Sequence, residues 1–155
     1  MLFSTKAEYG VRLIVELGRQ GGDEPVALST IADAELLPLS YLEHLVAKLR
    51  GAGLVVSTRG AHGGYKLARP AEEIEMLDVV EALEGPIAPM ECFETGGDGR
   101  VLCSHEADGD RTCATKLLWT RVQGGINKAL AGTTVAELAA FADQPSSKQR
   151  SSKAA

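Results

Sequence analysis

GLVVSTRGAHGGYKLAR, residues 53–69, decides the fold. Val55 to Thr58 are β-branched or small, and Tyr65 and Leu67 alternate with Lys66 and Ala68, the period of two that a half-buried strand requires. Between the two runs lie Gly60, Gly63 and Gly64, residues free to take the positive φ that strains other side chains. The stretch therefore predicts a β-hairpin. It carries cations at Arg59, Lys66 and Arg69, with His62 in the turn, and such a tip suits a polyanion.

Upstream, Leu42, Leu45, Val46 and Leu49 fall at i, i+3, i+4 and i+7, the spacing of a helix that buries one stripe. Ser40-Tyr41-Leu42-Glu43 has the form of a capping box for it, and Gly51 and Gly53 end it. Its opposite face shows Tyr41, His44, Ala47 and Lys48. Leu37-Pro38-Leu39 breaks a shorter helix over residues 28–35 that starts near Ser29. Thr5-Lys6-Ala7-Glu8 is another capping box, opening a helix of about twelve residues with Val11, Ile14 and Leu17 on one face and a stop at Gly21-Gly22. Helix, short helix, turn, helix, hairpin is the order of a winged helix-turn-helix, so the fold class is mainly α with a small β-hairpin wing.

Downstream, residues 72–84 predict an amphipathic helix with Ile74, Leu77, Val80 and Leu83 inward, closed by Gly85-Pro86. Residues 86–112 have little periodicity, and a loop of that length is usually functional or disordered. From Ala114 to Ala131 a helical pattern returns, with Leu118, Val122, Ile126, Ala129 and Leu130 on one stripe. A long apolar stripe without a second helix in the chain to cover it points to a dimerisation helix. Gly124-Gly125 either weakens that helix by roughly 1 kcal/mol per glycine or permits a close crossing. Thr134-Val135-Ala136-Glu137 caps a last short helix to Ala142, and the polar residues from Gln144 onward read as a disordered tail. The expected organisation is a winged head over residues 1–85, a cysteine-bearing loop over 86–113, a dimerisation helix and short terminal helix over 114–143, and a tail over 144–155.

The net charge of −5 conceals a split. Residues 1–70 hold eight Lys/Arg against seven Asp/Glu, whereas residues 71–145 hold five against fourteen. The N-terminal half can therefore meet phosphates locally although the whole chain is acidic. Without a signal pattern or an apolar run of the ~18 residues a membrane helix needs, a cytoplasmic, non-membrane protein is expected. An enzyme is disfavoured: His44, His62 and His105 form no activated-nucleophile pattern, and the glycine turn joins two strands where a phosphate loop would open a helix.

A recognition helix needs short polar or charged side chains on its outward N-terminal face. Ser40, Tyr41, Glu43 and His44 occupy that end. Glu43 can accept from cytosine N4, and Ser40 and Tyr41 can donate to phosphate. Glu43 is equally explained as the capping-box partner of Ser40. Arg59, beside glycines at the wing tip, fits a narrow minor groove.

Cys92, Cys103 and Cys113, separated by ten and nine residues, are the chain's three cysteines. An odd number without a secretory signal cannot close a disulfide framework, and three soft thiolates from one segment suit an iron-sulfur cluster or zinc.

The segment LSYLEHLVAKLRGAGLVVSTRGAHGGYKLAR, with LDVVEALEGPI and the later cysteines, resembles the IscR and NsrR family of bacterial winged-helix transcription regulators over roughly residues 1–142. The resemblance implies a homodimer that grips a pseudo-palindromic double-stranded DNA operator, with Ser40, Tyr41, Glu43 and Arg59 at the positions of the family's operator contacts. It also implies an iron-sulfur cluster (2Fe-2S or 4Fe-4S) on Cys92, Cys103 and Cys113. The intervals between these cysteines are longer than the family's usual ones, and Lys116 stands where IscR carries a histidine. A protonated lysine cannot ligate, so the fourth ligand is open: Glu8 matches the first-helix carboxylate that some relatives donate across the dimer, and His105, two residues after Cys103, could replace it through a neutral imidazole. Glu8 is also accounted for by its capping box with Thr5.

Overall fold

The computed structural model describes residues 3–20, 22, 24–89 and 113–144. Its elements are α1 (Thr5–Gln20), α2 (Leu28–Glu35), α3 (Leu39–Gly51), β1 (Val55–Thr58), β2 (Gly64–Leu67), a 3-10 turn (Ala71–Glu73), α4 (Met76–Glu84), α5 (Ala114–Ala131) and α6 (Val135–Ala142). Among the described residues, six helices and one two-stranded antiparallel hairpin match the fold class that the sequence predicts.

Helix α1 is the centre of the head. It buries Ala7, Leu13, Ile14 and Leu17 and packs on α3, α4 and α6. Two glycines allow the approach: a Cβ at Gly10 would overlap Leu83 Cδ1, and one at Gly18 would stand 2.7 Å from Val135 Cγ1. The helix runs sixteen residues, longer than expected, and its cap differs from the predicted Thr5–Glu8 box. Ser4 is the cap: its Oγ accepts from the Lys6 N–H at 3.1 Å and donates to Glu84, and its own N–H donates to Glu84 Oε1 at 3.1 Å. Glu84, at the end of α4, thus performs the reciprocal task that a third-position glutamate performs in a local capping box. Lys6 adds an ion pair to the same carboxylate at 3.4 Å. The Ser4 hydrogen bonds are the main reason that the Glu84 carboxyl is held below its ordinary range, against the opposing pull of burial.

The α2–α3 connection closes on Leu36, which takes a left-handed φ of 54°. The Leu37 N–H reaches back to the Ala32 carbonyl at 2.9 Å, the six-to-one bond of a Schellman ending, and Leu37 is buried. Helix α3 then starts at Leu39, one residue before the predicted box, with Pro38 as its cap and no side-chain capping bond. The Pro38 carbonyl accepts from the N–H groups of Tyr41 and Leu42, each at 3.1 Å. Ser40 therefore lies inside the first turn, and the capping account of Glu43 does not hold. The predicted stripe of Leu42, Leu45, Val46 and Leu49 is the buried one.

In the hairpin Val55 faces Leu67, Val56 faces Lys66, Ser57 faces Tyr65 and Thr58 faces Gly64. Of the three turn glycines only Gly60 takes a positive φ, 116°. Gly63 and Gly64 are needed for space instead: a Cβ would overlap the Thr58 carbonyl at one and the Val26 carbonyl at the other. That closeness at Gly64 comes from Val26, which exchanges two 2.8 Å backbone bonds with Tyr65 and lends the hairpin a third, one-residue edge.

The continuous helix predicted over 72–84 is interrupted. After the 3-10 turn the chain is extended at Ile74 and Glu75, because these residues bond to the entry of α6: the Ile74 carbonyl accepts from Val135 at 3.0 Å, and Met76 N–H donates to Thr133 at 2.9 Å. The later start turns Met76, Val79, Val80 and Leu83 inward and leaves Leu77 half-buried. Helix α5 has the predicted bounds and buries no residue. Helix α6 has the predicted cap, with Thr134 Oγ1 accepting from the Glu137 N–H at 3.2 Å, and returns to the head, where Val135 joins the core.

Candidate nucleic-acid interface

The helix-turn-helix is held from behind by side chains of α1. Arg12 pairs with the Glu35 carboxylate, Nε to Oε2 at 2.8 Å, and also donates to the Glu35 carbonyl, which satisfies an orphan acceptor at the end of α2. The same guanidinium stands 5.8 Å from the Tyr9 ring centroid, and Tyr9 meets Tyr41 of α3 edge-on, centroids 5.8 Å apart at 90°. Tyr41, a predicted interface residue, is thus half-buried with its ring engaged by α1. Lys48 donates to the Leu83 carbonyl at 3.1 Å and fixes the other end of α3 to α4. The Arg12–Glu35, Tyr9–Tyr41 and Lys48–Leu83 contacts were not singled out from the sequence, because their partners lie 23 to 35 positions apart.

Ser40, Glu43 and His44 are exposed on the N-terminal half of α3, and among the described residues their side chains make no hydrogen bond or ion pair. The cations separate more sharply. Lys6, Arg12, Arg19 and Arg69 are in ion pairs, Lys48 caps α4, and Arg50 reaches Ser57 Oγ of the hairpin at 3.5 Å. Arg69 pairs with Asp78 at 2.8 Å at the base of the wing, so the expected ring of cations at the tip reduces to Arg59 with His62. Lys66 lies two strand pairs below the tip and has a partner of its own. Among the described residues of the head, Arg59 is the one Lys or Arg without an intramolecular partner, and it sits exposed in the turn.

On the cofactor side, Glu8 is exposed in the first turn of α1 with no hydrogen bond or ion pair among the described residues, and the capping role that would have explained it belongs to Ser4 and Glu84. Cys113 is half-buried and stands as the cap residue of α5, its Sγ 3.0 Å from Thr115 Oγ1. A cysteine sulfur is a soft donor of the kind that iron-sulfur clusters and zinc take. Cys92, Cys103 and His105 lie outside the described residues, and among the described ones no group of three or more His, Cys, Asp or Glu side chains is placed to hold a metal ion.

A three-helix head with a hairpin wing and an outward-facing second helix of the turn defines a winged helix-turn-helix DNA-binding regulator. The profile of the Rrf2 family, described as "Iron-dependent Transcriptional regulator", matches residues 3–140, and the chain belongs to that family. It is 38% identical over 143 residues to the HTH-type transcriptional regulator CymR of Bacillus subtilis, covering 92% of this chain and 93% of CymR. It is 33% identical to IscR of Vibrio atlanticus, covering 89% and 75% of the two chains. The solved structure of CymR, the global cysteine regulator of B. subtilis, superposes with a TM-score of 0.74 at 37% identity, over 91% of this chain and 98% of that one. IscR of T. potens superposes at 0.72 with 32% identity, over 97% and 96%. The protein is a DNA-binding transcription regulator of the Rrf2 type and not an enzyme. No helix among the described residues is long and apolar enough to cross a membrane.

Proposed function

We propose that the chain acts in the cytoplasm as a homodimer on a pseudo-palindromic operator, reading bases with Ser40, Glu43 and His44, reaching phosphate with Tyr41, and placing Arg59 in the adjoining minor groove. The observation that carries this reading is that, among the described residues, Arg59 has no partner in a head whose other cations are engaged. Arg59→Ala weakens operator binding by about 1–3 kcal/mol and leaves the thermal midpoint unchanged. The check is a binding titration of specific and random duplexes at fixed salt; equal affinity of parent and variant for both rejects the wing contact.

Its signal is proposed to be redox state, nitric oxide or iron-sulfur status. In this reading Cys92, Cys103 and Cys113 hold an iron-sulfur cluster, with Glu8 of the second chain, or His105, as fourth ligand. The family description as iron-dependent, the thiolate donors and the unengaged Glu8 carboxylate support it. Such a cluster supplies a redox-sensitive, oxygen- and nitric-oxide-reactive centre. The chain's own contribution is to link that centre through Cys113 to the start of α5 and through Glu8 to α1. Anaerobic purification should give visible absorption with stoichiometric iron and sulfide, and Cys113→Ser should abolish it.

A second reading is favoured by the likeness to CymR, a cysteine regulator. There the regulator responds to thiol supply, or to zinc, with the cysteines as redox or structural groups. Colourless protein whose operator affinity is unchanged by iron and sulfide but shifts with thiol oxidation or bound zinc selects it.

A further inference from the structure

Two leucines at the entry to α3 are not used by the fold. Leu36 is 89% exposed and Leu39 41% exposed, whereas the core takes Leu37 and, from α3, Leu42, Leu45, Val46 and Leu49. Leu36 also holds the left-handed conformation, φ 54°, at the place in a Schellman ending where glycine or asparagine is the ordinary occupant. Exposure and backbone strain both disfavour leucine there, and an outlier of this kind points to a use outside the folded chain.

Leu39 shows what that use is. As the first residue of α3 it stands one helical turn before Glu43, on the same face, and next to Ser40. The major groove offers one apolar group to such a side chain, the C5-methyl of thymine. We propose that Leu39, flanked by Leu36, is a specificity-determining residue that packs on a thymine methyl group in the operator, beside the polar contacts of Ser40 and Glu43. This rests on the reading of α3 as the base-reading helix.

The test uses the full chain, prepared anaerobically, and a duplex selected by it from a randomised pool. The same duplex is then synthesised with deoxyuridine in place of thymidine, which removes the methyl groups and leaves every hydrogen-bonding group intact. The parent should bind the deoxyuridine duplex about fourfold more weakly per contacted methyl, the equivalent of ~0.8 kcal/mol for one buried methyl-sized group. Leu39→Ser should bring the thymidine-to-deoxyuridine ratio to about one, and Leu36→Gly should lower the ratio while keeping a thermal midpoint at or above the parent's. Equal binding of the two duplexes by the parent overturns the inference without recourse to a variant, as does a parental ratio retained by Leu39→Ser. A chain that selects no duplex over the random pool overturns the base-reading proposal as well, so the two failures are distinguishable.

Discussion

The winged head and helix α5 are built from similar amphipathic sequence and end in opposite states. In the head, α1, α3 and α4 each bury a complete apolar stripe against one another, and even the glycines are contact points. Helix α5 is eighteen residues long and buries none, with Leu117 59% and Leu118 55% exposed. A helix draws most of its stability from tertiary packing of one face, and α5 carries two adjacent glycines that lower its intrinsic preference. The difference teaches that the head, completed by Val135 of α6, covers its apolar stripes within one chain, while α5 has its apolar surface left to give. A second copy of the chain is the occupant proposed above.

The largest expected effect separates the two regions by one leucine each. Leu45→Ala, in the core under α3, should cost about 2–5 kcal/mol of unfolding free energy at any protein concentration, because a buried side chain is lost and the cavity only partly relaxes. Leu118→Ala should leave head unfolding within about 0.5 kcal/mol of the parent, since surface substitutions rarely exceed that. Its effect should instead appear as a higher dissociation constant for the dimer in sedimentation equilibrium. Chemical unfolding at two protein concentrations checks both. If Leu118→Ala destabilises the dilute protein as much as Leu45→Ala does, the contrast between the regions collapses.

A smaller pair uses glycines. Gly10→Ala places a methyl group onto Leu83, and overpacking of this kind costs about 1–3 kcal/mol. Gly124→Ala meets nothing within 4 Å and removes a poor helix former, so it should stabilise α5 by up to ~1 kcal/mol. Thermal melts read both signs. Should Gly124→Ala weaken dimerisation instead, the α5 glycines mark a close crossing between two chains, which would sharpen the comparison by locating the contact.

Local patterns carried most of the fold. The stripe of α3, the bounds of α5, the Thr134–Glu137 cap and the hairpin depend on residues within a few positions of each other, and the structure agrees with all four. What escaped is long-range. Ser4 finds Glu84 eighty positions away, Val26 finds Tyr65, and Ile74 opens its helix to bond Val135; a capping box or a period of 3.6 carries no trace of such partners. Competition explains the two capping boxes that failed: Ser4 outbids Thr5 by having Glu84 beside it, and the Pro38 carbonyl starts α3 before Ser40 can. The consequence bears on the site, since Glu8 and Glu43 lose their structural explanations and stay available. Arg59 was legible because its position at a turn tip is a local fact. Leu39 reads in the sequence as part of the helix-breaking triplet Leu37-Pro38-Leu39, and Leu36 lies just before it; the available signal was a leucine where a helix ending would take glycine.

The smallest expected effect concerns the junction from which the chain leaves the head. The carboxyl of Glu84 is held below its ordinary range chiefly by the Ser4 hydrogen bonds, with Lys6 adding to it against the cost of burial. In the unfolded chain a glutamate titrates near ~4.3. Because the folded group releases its proton at lower pH, its contribution to stability is fully present above that value and is lost as pH falls through the folded titration. Glu84→Gln should therefore lower the thermal midpoint slightly at neutral pH, and the gap between parent and variant should close on acidification below ~4.3. Ser4→Ala should remove most of the same pH dependence, since it takes away the largest cause. Lys6→Ala should remove little, because an ion pair with a 42% exposed lysine is screened by solvent. A gap that persists unchanged at low pH would place the Glu84 contribution in packing and not in charge, and the head would then owe its fixed α1–α4 corner to apolar contact alone.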